Sequence, residues 1–171
     1  MTNPLIVGIT GGIGSGKTTV CKIFHQLGVP IYFADHRGKY LLSNDELLKN
    51  QVMNLFGAES YLPDGLLNRS FLANKVFSNT EELNKLNGLV HPAVAKDFLQ
   101  WANNQSAKVL IKEAALFIEN DSYTGLDKLI TVLAPEDVRI NRVLMRDIQR
   151  NKAQVLDIMS NQVDDKRRRE V

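Results

Sequence analysis

Only one cysteine, Cys21, and three histidines occur among the 171 residues. A lone thiol closes no internal disulfide, and with three scattered histidines it supplies no Cys/His metal set; a reducing interior fits this usage best. Nowhere does an apolar stretch approach the roughly 20 residues needed to span a bilayer. The N-terminus runs straight into a strand pattern without a charged leader, so the expected location is the cytoplasm, with no membrane partner. Excess charge is lacking as well: 21 Lys+Arg against 19 Asp+Glu leave a formal charge of +2. That is too mild for the concentrated basic face a nucleic-acid partner demands, though anionic small ligands remain compatible. Internal repeats and low-complexity tracts are absent, and 44% hydrophobic with 23% charged residues is the make-up of an ordinary globular chain. The length suits one domain with a subordinate lobe rather than two full domains, and leaves the oligomeric state open.

What is present in excess is glycine at one place. The stretch "GITGGIGSGKTT" carries five glycines between Gly8 and Gly16. Before it, Leu5, Ile6, Val7 and Ile9 form a short continuous apolar run, the pattern of a strand buried on both faces of a parallel sheet, over residues 4–10. After it, Val20, Ile23, Phe24 and Leu27 recur at three- and four-residue steps until Gly28 and Pro30, which predicts a helix over 16–27. "VPIYFAD" reads as a second buried strand ending at Asp35, completing a βαβ unit. Within it Gly11, Gly16, Lys17 and Thr18 satisfy G-x-x-x-x-G-K-[ST], the phosphate-binding loop. The pattern arises by chance about once in a few hundred chains of ordinary glycine content, and its place between a buried strand and a helix lowers the chance reading further. Consecutive backbone N–H groups can converge on a phosphate only where no Cβ intervenes and unusual dihedrals are open. The helix start adds unsatisfied donors and the positive end of its dipole. Lys17 then supplies a full charge to the β- and γ-phosphates, and the Thr18 hydroxyl is the expected Mg²⁺ ligand.

The next convincing strand, "KVLIKEA" at 108–114, lies about seventy residues on, where α/β connections usually span only a few residues. Something is inserted, and it reads as helical. Leu48, Val52, Leu55 and Phe56 lie at helical spacing before Gly57; "YLPDGLL" is turn chemistry; Ser78 with Glu81 predicts a capping box. That box opens a helix through Leu83, Leu86 and Val90, which Pro92 should end or kink before a fresh apolar face at Val94, Phe98, Trp101 and Ala102. "KLITVLA" at 128–134 is a further strand, followed by Pro135 and a helix on which Arg139, Arg142, Arg146 and Arg150 share a face. The stretch 153–171 is helical in pattern. Its charged run "DDKRRREV" reads as a solvated helix end.

A phosphate loop serves several reaction classes, so other residues must discriminate. GTPases ordinarily read guanine with N-K-x-D, and both "NKLN" and "NKAQ" lack the aspartate. An ATPase motor would want an apolar strand ending in Asp or Asp-Glu, whereas Lys112 interrupts "VLIKEA" before Glu113. A small-molecule kinase needs a carboxylate at the tip of the neighbouring strand to take the acceptor's proton, and mobile cations over the γ-phosphate. Asp35 is placed for the first role, with equal weight given to a mere helix cap. The arginine stripe suits the second, against the commoner explanation of a solvated face with partners such as Asp147. His25 is expected to pack beside Phe24, and His91, before Pro92, to cap a helix or contact a ligand.

With these residues assembled, the chain resembles the dephospho-coenzyme A kinase family over nearly its whole length. "GITGGIGSGKTTV", "ADHRGKYLL", "DGLLNRSFLANKVF", "LNGLVHPAV", "EAALFIEN" and "RVLMRD" carry the likeness. The phosphate loop is widely shared; the D-G-x-L-x-R and H-P segments are much more specific. The resemblance implies an α/β fold: a three-layer P-loop kinase core with a parallel sheet, a helical CoA lobe inserted after the second strand, and a helical lid. Residues 1–35 and 106–171 would form the core, with the lid near 135–155, and 36–105 the lobe. It further implies transfer of the ATP γ-phosphoryl group to the ribose 3′-hydroxyl of dephospho-CoA, with Mg²⁺. By motif position Asp35 looks like the catalytic base beside Lys17. Gly12, Ile13, Gly14, Ser15, Gly16, Lys17, Thr18 and Thr19 form the ATP loop, Arg142 and Arg146 the ATP-facing lid cations, and Arg69 and His91 belong to the substrate-lobe signatures. The alternatives are another P-loop kinase with a nucleoside or sugar acceptor, and a nucleotide-dependent binding protein. The sequence departs from the family pattern at Phe33, where a second acid is frequent, and at Ala115, where proline is common. It also ends at Val171, where family members usually continue into a further strand and helix, so a shortened chain is expected.

Overall fold

The structure, a computed structural model, describes residues 3–77, 79–119 and 122–171. Four strands and eight α-helices occur among them. The chain divides into two compact units, Met1–Phe33 with Gln105–Val171, and Ala34–Asn104.

The first unit is built on a sheet of β1 (Leu5–Thr10), β2 (Ile31–Phe33), β3 (Val109–Glu113) and β4 (Lys128–Thr131), in the order β2-β3-β1-β4 with every pairing parallel. The apolar runs account for the central position of β1 and β3: Val7, Ile9, Leu110 and Ile111 are buried. Helix α1 (Lys17–Gln26) contributes Cys21, Val20 and Phe24 to the cluster around Val7, Ile9 and Ile111. Lys112 fits inside this sheet because its ammonium lies 5.8 Å over the Phe117 ring. Burial holds its pKa below the usual lysine range. The register matters for the site. Ile9, Glu113 and Phe33 stand side by side across three strands, so the C-terminal ends of β1, β3 and β2 finish level.

Several boundaries differ from the sequence pattern. The second strand stops at Phe33 instead of Asp35, because Ala34 already starts α2 (Ala34–Asn44) and Asp35 lies inside its first turn. A negative charge is favoured there by the helix dipole. The strand predicted to reach residue 134 stops at Thr131. Helix α6 (Glu136–Arg146) ends with Asp147 as its C-cap, so Arg150 lies beyond it and the four arginines do not form one helical face. The pattern at 153–171 is two helices, α7 (Lys152–Ser160) and α8 (Asp165–Glu170), each with its own cap: Asn151 in a capping box and Asp164 accepting from Arg167 N–H. His25 is exposed rather than packed.

The second unit is all helical: α3 (Glu46–Phe56), a 3₁₀ turn (Ala58–Ser60), α4 (Arg69–Val76) and α5 (Thr80–Asn103) follow α2. Its core gathers Leu41, Leu48, Val52, Phe56, Tyr61 and Leu72. Ser78 lies outside the described residues; the cap of α5 is Asn79, whose side chain accepts from Glu82 N–H at 3.1 Å. Pro92 does not end this helix. An internal proline removes one helical hydrogen bond and costs about 3 kcal/mol. On α5, Leu86 and Leu89 before it and Ala93 and Val94 after it all pack on the unit's core, which holds both halves in one helix. No described helix is long and apolar enough to cross a membrane.

Candidate phosphate-binding site

The loop from Gly11 to Gly16 joins the end of β1 to α1. Gly16 is the N-cap, left-handed at φ 106°, and α1 has neither a side-chain cap hydrogen bond nor an acidic residue in its first turn. The positive end of α1 therefore faces no side-chain cap and is open to an anion, although the Thr19 N–H already donates to Gly16 C=O at 2.9 Å. Gly14, at φ 76°, lies against the α6 backbone: a Cβ there would stand 2.5 Å from the Arg139 carbonyl oxygen. A Cβ on Gly12 would run into the Arg139 guanidinium. Only glycine allows the loop to lie this close to α6. The turn is closed by Ser15 N–H donating to Gly12 C=O at 3.1 Å.

Lys17 reaches back across the loop, its Nζ donating to Gly11 C=O at 2.6 Å. Arg142 arrives from α6, with Nη1 3.2 Å from the Ser15 carbonyl and 3.4 Å from that of Gly14. These two cations and the Gly12–Thr19 segment belong to one locale. Thr18 and Thr19 are exposed in the first turn of α1. Arg146 is not drawn in: its guanidinium donates twice to its neighbour Asp147 at 3.1 Å, and Arg150 pairs with the same carboxylate at 3.3 Å. That pairing raises the Arg146 pKa and lowers that of Asp147. Ser15 Oγ is buried without a hydrogen-bond partner.

Glu113 was not singled out by sequence reasoning. It is buried at the end of β3, level with Ile9. Its field, together with burial as the larger cause, pushes the Cys21 thiol up to about 11, against the opposing pull of Lys17. A carboxylate ending an apolar strand was the available signal, and Lys112 obscured it. Arg139 and Arg168 were also misjudged. Both are buried, Arg139 beside Asp165 at 3.6 Å and Arg168 on Glu119 at 2.9 Å. The expected solvated helix end is thus overturned at Arg168, because Glu119, 49 residues away, reaches it.

In the helical unit, Asp35 is exposed in the first turn of α2, two residues beyond Phe33. Arg69 opens α4, behind the Asn68 cap that accepts from Phe71 N–H at 3.2 Å. His91 is exposed in the interior of α5, where no helix begins for it to cap. Among the described residues no group of three or more His, Cys, Asp or Glu side chains is arranged to hold a metal. A Mg²⁺ carried in on phosphates keeps most of its water and asks the protein for only one or two oxygens, a demand the exposed Thr18 hydroxyl fits.

Comparison with known proteins gives a consistent result. The family model for dephospho-CoA kinase (CoaE) matches residues 5–171. A dephospho-CoA kinase of Chlorobium chlorochromatii is 40% identical over 152 residues, covering 85% of this chain and 72% of that protein. One of Porphyromonas gingivalis is 37% identical over 143 residues, covering 84% of this chain and 70% of its own. Among solved structures, TT1252 from Thermus thermophilus superposes with a TM-score of 0.88 at 30% identity, over 99% of this chain and 85% of that one. Dephospho-CoA kinase from Campylobacter jejuni shares the fold, with a TM-score of 0.67 at 23% identity over 97% and 84% of the two chains.

Proposed function

The chain belongs to the dephospho-CoA kinase family, and we propose that its loop, Lys17 and Asp35 divide the work of ATP-dependent phosphoryl transfer to dephospho-CoA among them. It is an ATP-dependent kinase of P-loop fold. The observation that carries the residue assignment is the uncapped start of α1 behind a glycine loop, with Lys17 already directed across it.

In this reading the Gly12–Thr19 loop wraps the β- and γ-phosphates with amides other than those of Ile13, Ser15 and Thr19, which donate within the protein, and the Lys17 ammonium neutralises charge that builds on the phosphates as the bond to the leaving oxygen lengthens. The Arg142 guanidinium, beside the same loop, adds a second cation. Arg146 joins it by exchanging Asp147 for a phosphate oxygen. The Asp35 carboxylate accepts the proton of the ribose 3′-hydroxyl while that oxygen bonds to the γ-phosphorus, the bond to the β,γ-bridging oxygen breaks, and ADP leaves. Arg69 and His91 contact the substrate from the helical unit, which serves as the CoA lobe; residues near 135–155 act as the lid. The Thr18 hydroxyl would hold Mg²⁺, which would supply charge to offset that of the phosphate oxygens. A free, buried Cys21 suits a reducing cytoplasmic setting.

A panel of acceptors tests the assignment. ADP release in the presence of Mg²⁺ should appear with dephospho-CoA and be absent with nucleosides and simple sugars; the reverse order of preference would remove the reading.

A further inference from the structure

We infer that the junction between α7 and α8 is a brace for the phosphate loop, in which Gln162 positions the loop and a buried charge cluster around Arg168 positions Gln162. The contact that carries this is a single hydrogen bond across 149 residues of sequence: Ile13 N–H donates to Gln162 Oε1 at 2.9 Å. The C=O of the same peptide unit, on Gly12, accepts from Ser15 N–H at 3.1 Å. Both ends of the Gly12–Ile13 peptide are therefore fixed by the protein, and its plane cannot rotate without breaking one of the two bonds. The Ile13 side chain is held as well, packed on the cluster of Ile140, Val143 and Val155 from α6 and α7. In a loop of glycines, whose dihedrals have little preference of their own, such outside attachments decide which way the remaining amides face.

The junction is in turn pinned by charge. Val163 N–H donates to Glu119 Oε1 at 3.2 Å, and the same oxygen accepts from Arg168 Nη2 at 2.9 Å. The other Arg168 nitrogen lies 3.4 Å from Asp165, and Asp165 lies 3.6 Å from Arg139, whose backbone and guanidinium border Gly14 and Gly12. The Arg168 side chain is 1% exposed and that of Glu119 13%. The cluster is neutral in sum, two cations against two anions. It is also incompletely satisfied, since Arg139 Nε, Arg168 Nε and Glu119 Oε2 have no partners. A buried ion cluster of this kind contributes little net stability compared with apolar packing of similar volume. Fixed geometry next to a loop that must hold its amides in place is the gain that such a cluster offers.

The inference rests on the loop being the ATP site, and the experiment separates the two. Gln162→Met keeps the side-chain length and removes the acceptor. It should speed hydrogen exchange at the Ile13 amide in ligand-free protein, raise the KM for ATP and weaken ADP binding by about tenfold, the order of one lost hydrogen bond. The KM for dephospho-CoA should stay unchanged. Arg168→Lys keeps the charge but cannot reach Glu119 and Asp165 together, and should move the same quantities in the same direction. An unchanged affinity for ATP and ADP in Gln162→Met, or equal losses for ATP and dephospho-CoA, overturns the brace. Should dephospho-CoA prove not to be phosphorylated at all, the functional reading fails, while Ile13 exchange and ADP affinity still decide on Gln162.

Discussion

Asp35 shows how much a single position in the chain can decide. It sits in the first turn of α2, where its charge favours the helix by only about 0.3–1 kcal/mol. If that were its whole role, Asp35→Asn would be nearly silent. As the proton acceptor of the reaction, it should instead lose turnover by a factor of roughly 10² to 10⁴. ATP affinity, measured by calorimetry, should stay as it was, because the carboxylate's proposed task is to take the acceptor's proton and not to hold the phosphates. Unchanged turnover would leave Asp35 as a helix residue only. The roles proposed for Lys17, Thr18 and Asp35 are readable in the sequence because the signal for each is local: its distance from a glycine loop or a strand end. Arg168 is not. Its neighbours in sequence are all charged, as on a solvated face, and only the approach of Glu119 makes it a buried ion pair.

At the scale of elements, the same distinction separates what pattern reveals from what packing decides. The parallel strand β1 and helix α1 follow from an apolar run, glycines and three-to-four spacing. The shortened β2, the unbroken α5 and the division of α7 from α8 are settled by competition: an early helix start at Ala34, apolar contacts on both sides of Pro92, and a fresh Asp164 cap. The phosphate loop is the element in which backbone geometry itself is the active part. Gly14→Ala forces a side chain into the left-handed region, at a cost of about 1–2 kcal/mol, and presses a methyl group on the Arg139 backbone. The loop has to shift while the sheet does not. The variant should therefore keep the circular dichroism of the parent and lose ATP binding. Retained ATP affinity would mean that the amides of this loop do not hold the phosphates.

For the molecule as a whole, residues 34–108 between the second and third strands announce an insert, yet their internal core is only partly readable from spacing. Helical spacing joins Leu48, Val52 and Phe56 on α3, but Leu41 of α2, Tyr61 after the turn and Leu72 of α4 are joined to them by no short-range pattern. This core shares no residue with the cluster of Val7, Ile9, Cys21 and Ile111 beneath the phosphate loop. A cavity made in one is thus expected to act first on the function housed in the same unit. Leu48 is 1% exposed, and Leu48→Ala should destabilise the helical unit by about 2–5 kcal/mol. At a temperature where the variant is still folded, the KM for dephospho-CoA should rise while ATP affinity and the Ile13 amide exchange remain those of the parent. Loss of ATP affinity in parallel with dephospho-CoA would show that the two cores fail as one, and would take away the assignment of acceptor binding to the helical unit and donor binding to the sheet.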